Sequence, residues 1–455
     1  MEAISKGVDQ VQDSSSSSRS EGLLVSSDED SKNGWTKKQI LTAITLSLMY
    51  LAQAISFGII SPFYPIFELV IFITSPIYGS FIQEIGARYM FLSGSFLLGG
   101  CSLAFGFLDR CPDGVIYIVM CFICRTVEAN GCAMLATASF AIMASTFPDN
   151  VGKAIGILEI FGGLGMVIGP AVGGVLYEVG GFLVPFAVMG GVVWLATIIS
   201  FFILPKIEAV PKVSGSILSL FKIPGCVIVY IIISCCGASL SYLDPTFSPF
   251  IQKFFPWVTI EQIGFLCMVG PGVYALTAPV SGYICDKGYL GSLVVGGLFL
   301  TAIAFFLLGP NPLLSAIIPN TVVEIIIASV ILGLAVGSVI IPVFPIIINL
   351  ARYHGFEDNL QTYGLVSGFF NSSFSLGAFL GPTAAGYLAG EVGFAWSSST
   401  CGFFNAALGL TMLIYVLTMR SQGKWPIPDP DESPEETTSI NATSSNSKLY
   451  GSINA

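Results

Sequence analysis

The sequence predicts an all-α membrane protein whose twelve spans form two related six-helix halves. Three observations predict it: an apolar composition, twelve runs long enough to cross lipid, and an internal repeat. Of the 455 residues 54% are apolar and 10% are charged, and the mean hydropathy is +0.81. That is more apolar surface than a soluble core can bury, so most of the chain belongs in a bilayer. The formal charge of −10 says little about substrate, because 12 of the 28 acids fall in residues 1–38 and 421–455.

A helix needs about 20 apolar residues to cross the hydrocarbon, and each span must satisfy its own backbone there. The runs are 39–62, 66–83, 89–108, 115–145, 152–178, 182–204, 225–247, 262–284, 290–311, 321–350, 361–388 and 394–419. Residues 1–38 and 421–455 read as disordered tails. Residues 39–204 and 225–420 read as the two bundles, joined by the polar linker 205–224. Lys37, Lys38, Arg88, Lys153, Lys206, Lys212, Lys222, Lys287, Arg352, Arg420 and Lys424 all fall on one side, against Arg110 and Lys253 on the other. By the positive-inside rule both termini face the cytosol. No cleavable signal precedes the first span, which starts near Ile40 behind a Ser-rich acidic head.

The repeat is specific. Gly156-x8-Gly165-x3-Gly169-Pro170-x2-Gly173-Gly174 in span 5 returns as Gly368-x8-Gly377-x3-Gly381-Pro382-x2-Ala385-Gly386 in span 11, offset by 212 throughout. A second pair, Gly79-x3-Gln83-Glu84-x-Gly86 and Gly282-x3-Asp286-Lys287-Gly288, is offset by 203. Together they point to a parallel duplication. Small residues four apart make a flat stripe on which another helix can pack closely or rock, and the prolines add bend points. We take the matched pair as a moving interface.

These motifs resemble the antiporter signature and the cytosolic loop motif of the major facilitator superfamily, except that Gln83 stands where an acid is usual. More narrowly, LDPT at 243–246, LEIFGGLGMVIGPAVGGVLYEVGGF at 158–182, PVFP at 342–345, HGFED at 354–358 and YGLVSGFF at 363–370 are similar to the polyamine branch of the vesicular amine transporter family, solute carrier family 18. The likeness runs from about 38 to 420. It implies a major facilitator fold with the binding site midway across the membrane between the bundles. Monoamine and acetylcholine transporters of that family place acids in spans 1, 10 and 11, whereas residues 41–62 and 361–388 contain none. The polyamine branch fits better.

Charges inside the spans carry the functional reading. Glu68, Glu128, Glu159 and Asp244 face one base, Arg125, with Glu324 nearer a helix end. At roughly 2.5–3.5 kcal/mol each on insertion scales, four central acids cost on the order of 10 kcal/mol unless compensated. Uncompensated acids should line a watery cavity, carry protons or hold a cation. Arg125 and Glu128 share a helix face, either as a structural pair or as direct contacts to substrate. Glu159 either partners Arg125 or biases rocking through its protonation. Asp244, before the helix-breaking Pro245, suits cation or proton binding. An acid-rich cavity draws amines and repels organic anions. Crowded carboxylates in low dielectric also bind protons, so a proton and an amine compete for one site. The expected activity is proton-coupled export of polyamines or related organic cations into acidic vesicles. A broad drug/cation antiporter at the plasma membrane and a transport-inactive regulator are the alternatives. Tyr242, Trp194, Phe247 and Tyr274 offer cation-π faces.

Other classes have little to work with. His354 is the only histidine, so no histidine metal cluster or Ser/His/Asp triad is expected, nor enzyme activity. Cys101, Cys121, Cys124, Cys132, Cys235, Cys236, Cys267 and Cys401 lie inside apolar runs and read as small hydrophobes. Neither cofactor nor metal is expected, the energy coming from a proton gradient. Nothing suggests nucleic acid as a partner; Gly163-x-Gly165 lies in a lipid-length helix with no strand before it. Oligomeric state is left open, a monomer being sufficient. Tyr450-Gly-Ser-Ile453 has the form of a sorting signal read by adaptors, in keeping with a vesicle or lysosome-related membrane, and Leu23-Leu24 loosely resembles a dileucine. Asn441-Ala-Thr443 matches a glycosylation acceptor that a cytosolic tail would leave unused.

The two halves also differ. Pro62 matches Pro245 and Gly79 matches Gly282, yet the intervals are 17 and 37 residues, so about 20 are absent before span 2. Residues 65–83 would reach about 27 Å as a helix, against about 30 Å of hydrocarbon. We therefore expect a shortened span 2, a damaged cavity and a spliced or incompletely predicted form. Sequencing transcripts across this point should recover a longer form; its absence would overturn that expectation.

Overall fold

Lipid-length apolar runs bounded by glycines and polar caps give helices alone. The structure is a computed structural model that describes residues 35–58, 64–112, 114–205, 216–309 and 321–425. Pro62, most of the linker, and the tail motifs at Leu23-Leu24, Asn441 and Tyr450 lie outside the described residues. The spans are α1 (Lys37–Gly58), α2 (Tyr64–Ile85), α3 (Ala87–Gly106), α4 (Val115–Thr146), α5 (Val151–Gly180), α6 (Leu183–Ile203), α7 (Pro224–Phe254), α8 (Ile260–Asp286), α9 (Leu290–Leu308) and α10 (Val322–Tyr353). The helix Leu360–Ser421 has 62 residues, about 93 Å at 1.5 Å per residue, too long for one crossing. Gly393 divides it, with φ +79° that a side chain would resist, into α11 (360–392) and α12 (394–421). No strand occurs among the described residues.

Local chemistry sets several boundaries. Thr259 and Gln262 form a reciprocal capping box at the start of α8. The Thr321 hydroxyl accepts the Glu324 N–H and the Asn359 side chain accepts the Thr362 N–H, starting α10 and α11. In α7 the ring of Pro245 leaves the Ser241 carbonyl without its usual donor, and the helix loosens at Tyr242.

The repeat is a repeat of packing. Gly165 lies against the Leu51 carbonyl of α1 and Gly377 against the Ser234 carbonyl of α7, while Gly169 meets Ile55 and Gly381 meets Ala238. Leu51 to Ser234 and Ile55 to Ala238 are the same offset, 183, that relates Pro62 to Pro245. These glycines thus bind α5 to α1 and α11 to α7 within each bundle. The reading of the whole stripe as a moving interface is corrected. Only its first glycine in each copy faces the other bundle: Gly156 meets Ala278 and Gly282 of α8, and Gly368 meets Ser75 and Gly79 of α2. A Cβ on Gly156 would sit 2.9 Å from the Ala278 carbonyl oxygen, so the backbones touch. Gly173 is buried, whereas Gly174 and Gly386 are exposed with no neighbour near enough to need a glycine, and neither belongs to the packed stripe. Both α5 and α11 continue unbroken past Pro170 and Pro382.

The expected shortening of span 2 is also corrected. α2 has 22 residues, about 33 Å, and crosses fully. In the second bundle α7 runs nine residues past Pro245.

These contacts predict unequal tolerance. Gly377→Leu, which overlaps the Ser234 carbonyl, should destabilise the bundle by about 1–3 kcal/mol or more. Gly386→Ala should stay within about 0.5 kcal/mol. Thermal denaturation in detergent followed by size-exclusion profile checks both, and equal midpoints would contradict the packing described.

Candidate functional site

Burial sorts the intramembrane charges. Glu68, Arg125, Glu128 and Glu159 retain 4%, 5%, 3% and 6% of their surface, whereas Asp244 is exposed. Arg125 and Glu128 sit one turn apart on α4, so they meet directly, Arg125 Nη1 donating to Glu128 Oε2 at 2.7 Å. The guanidinium also lies 4.2 Å from the centroid of the Phe105 ring at the end of α3. Its remaining donors, Nε and Nη2, have no hydrogen-bond partner among the described residues. One base is thereby committed to one acid, and Glu159 is not its partner.

Glu159 is held by two tyrosines instead. Tyr274 of α8 donates to Oε2 at 2.6 Å, and Tyr50 of α1 donates to Oε1 at a longer 3.5 Å. This carboxylate therefore joins three helices and both bundles. Its placement follows from the repeat, because Gly156 and Gly163 bring the α5 backbone against Ala278 and Ala275 on either side of it.

Glu68 and Asp244 form the second centre. Glu68, on α2, takes a hydrogen bond from Ser375 of α11 and stands within electrostatic reach of Asp244 on α7. Its Oε2 is buried with no partner. Asp244 makes no hydrogen bond or ion pair among the described residues and adjoins Cys267 of α8. Tyr50 stands between this pair and Glu159, within reach of both glutamates, and Cys132 of α4 stands between Glu68 and Glu128. All four acids thus surround the meeting of the two bundles, with a single guanidinium among them. Measured along its helix from the end nearer both termini, Glu159 is about 12 Å deep, while Glu68, Glu128 and Asp244 are about 26–30 Å deep. Glu324, in the first turn of α10, stays apart from them.

Tyr50, Cys132 and Ser375 were not singled out from sequence. An aromatic, a thiol and a hydroxyl at core spacing look like packing, and only the crossing of helices turns them toward acids. Tyr274 is used through its hydroxyl rather than as a cation-π face. Trp194 stacks on Phe96 between α3 and α6, and Tyr242 packs on Phe305 and Phe394 inside the second bundle, so neither ring joins the acids.

The loop motif makes a separate contact at the face bearing the termini. Asp286 accepts the backbone N–H groups of Gly152 and Lys153, at 2.9 and 3.0 Å, and so caps α5 from the opposite bundle. Gly282 leaves room for it by lying on Gly152. The Lys287 ammonium is 4.6 Å from the Tyr283 ring, and its hydrogen bond to that residue raises its pKa. In the first copy α11 already starts at Leu360, so Gly364 and Leu365, which match Gly152 and Lys153, lie inside the helix rather than at its start. Gln83 Oε1 is buried without a partner, and Gln361 makes the cross-bundle bond instead, donating to the Ser80 carbonyl at 2.9 Å.

Comparison with known proteins agrees with this geometry. The family model of the Major Facilitator Superfamily matches residues 39–356. The chain is 35% identical over 412 residues to the human MFS-type transporter SLC18B1, covering 86% of this chain and 90% of that one. It is 24% identical to the vesicular acetylcholine transporter of Torpedo marmorata over 76% of this chain and 66% of that one. Among solved structures, the crystal structure of the human organic anion transporter MFSD10 (TETRAN) shares the fold, with a TM-score of 0.63 at 14% identity over 83% of this chain and 99% of that one. With such relatives this is a membrane transporter and not an enzyme, and the chain belongs to the major facilitator superfamily, among its SLC18B1-type members.

Proposed function

We propose that the chain is a proton-coupled antiporter that carries polyamines or related organic cations, from the face bearing its termini, taken as cytosolic, into acidic vesicles. One observation carries the reading: two carboxylates from opposite bundles, Glu68 and Asp244, stand within electrostatic reach of each other with no base beside them among the described residues. Arg125, the base that could have neutralised one of them, is paired with Glu128. A buried carboxylate oxygen without a donor is costly unless a proton or a cation supplies one. Either can do so here, and the two exclude each other, which is the physical basis of exchange. Charges spread over Glu68, Asp244 and, more deeply set toward the termini, Glu159 suit a substrate carrying more than one ammonium group.

The vesicular assignment draws support from the likeness to the vesicular acetylcholine transporter. A transport-inactive form loses the feature that favoured it, since α2 is long enough to cross.

Purified protein in proteoliposomes with an acidic interior should accumulate labelled spermidine. Losing one charged partner of the ammonium costs about 1.5–3 kcal/mol, so Asp244→Asn and Glu68→Gln should each lower uptake about 10- to 100-fold at low substrate. Unchanged uptake in both variants, or equally fast uptake of an organic anion, would overturn the proposal.

A further inference from the structure

The two seams between the bundles are related by the duplication yet chemically unequal. Gly282 on Gly152 and Gly156 in the α5–α8 seam corresponds to Gly79 on Gly364 and Gly368 in the α2–α11 seam, by the offsets 203 and 212. By those same offsets the counterpart of Glu159 is Asn371, and the counterpart of Tyr274 is Ile71. One seam thus holds a carboxylate bonded to a phenol. Its mate holds an amide, whose nitrogen is buried without a partner, at the matching position. An amide does not titrate; a carboxylic acid does.

We propose that Tyr274 is the coupling residue of the exchange: its hydroxyl, bonded to Glu159 across the α5–α8 seam, holds the face bearing the termini closed until a proton reaches Glu159. This deepens the antiport reading and rests on it. Charged Glu159 accepts one tyrosine hydroxyl on each oxygen. A proton on Oε2 makes that oxygen a donor, so its contact with Tyr274 becomes a neutral hydrogen bond in place of a charge-assisted one. On Oε1 it leaves Tyr274 bonded to a neutral carbonyl, at roughly half the strength of a charge-assisted bond. Either way the seam loosens in the protonated form. What then remains in the seam is contact of small residues at Gly156 and Gly163 and, nearer the termini, the two backbone bonds that Asp286 accepts from Gly152 and Lys153. The groups facing Glu159 are Tyr50 from α1 and Tyr274 from α8, with Glu68 of α2 beyond Tyr50 and Cys236 of α7 beyond Tyr274. No base opposes its titration among the described residues. The α2–α11 seam has an amide at the matching place, and its own carboxylate, Glu68 on Ser375, lies nearer the opposite face. The sign is that required for filling an acidic compartment: protons arriving there release the seam and open the carrier toward the side that supplies the amine.

The seam contains its own reporter. Cys285 of α8 is buried against Gly152, whereas Cys267 on the same helix is exposed. In the full chain reconstituted in vesicles, labelling of Cys285 by an impermeant maleimide, scaled to that of Cys267 and read by peptide mass mapping, should rise about 5- to 10-fold on acidification from neutral pH, the ratio that 1–1.4 kcal/mol supplies. Tyr274→Phe should already label at the acid rate at neutral pH and lose the pH response, and Glu159→Gln should do the same. In transport, Tyr274→Phe should lower proton-driven spermidine uptake about 10-fold more than it lowers spermidine exchange at symmetric pH. A wild-type pH response of Cys285 in Tyr274→Phe, or equal loss of exchange and of driven uptake, would overturn the proposal. If the wild-type protein moves no spermidine at all, the substrate reading fails while the labelling experiment still decides the role of Tyr274.

Discussion

Placing four carboxylates and one guanidinium inside a lipid-embedded bundle leaves a charge imbalance that the rest of the architecture must accommodate. Arg125 and Glu128 resolve their part locally, by helical spacing and a phenylalanine face. The remaining acids are resolved in two different ways. Glu159 receives two phenolic hydroxyls, which satisfy its oxygens without neutralising it. Glu68 and Asp244 are left with an unsatisfied oxygen and an exposed carboxylate, respectively. Sites left incomplete in this way are where a membrane protein takes up something from outside itself.

The glycine repeat serves this imbalance. Within each bundle it presses α5 on α1 and α11 on α7, which makes the bundles stiff. Between bundles it offers only small residues, so that few side chains interlock and the polar bonds that do cross acquire weight. Among the described residues those bonds are Asp286 on the start of α5, Gln361 on Ser80, Ser372 on the Phe72 carbonyl, Ser375 on Glu68, and Tyr274 on Glu159. Duplication has made the helices equivalent, while divergence at Gln83, Asn371 and Ile71 has made the two seams different. On the antiport reading, that difference is what lets a single bound proton act on one side of the pivot.

Much of the architecture was legible in the sequence for a simple reason. In lipid every backbone group must be satisfied within its own helix, so length and hydropathy define the spans, and the offset of 212 exposes the duplication. The list of intramembrane acids was equally plain, since charges in apolar runs are rare and costly. The length of α2 was misjudged because a run of apolar residues counts only the core of a helix, and the helix extends two residues beyond that run at each end, to Tyr64 and Ile85. Gly174 and Gly386 match their motif as well as Gly165 and Gly377 do, yet face open space, because one-dimensional spacing cannot say which side of a helix is covered.

By itself the sequence determined the membrane class, the twelve crossings, the two related halves and the surplus of buried acid. All of these follow from local composition and from periodicity along one chain. Only the tertiary structure decided that Glu159 answers to Tyr50 and Tyr274 rather than to Arg125, that Glu68 stands within electrostatic reach of Asp244, and which glycines divide the bundles. Those pairings join residues more than a hundred positions apart, and they are settled by how helices cross, a quantity that no single helix encodes.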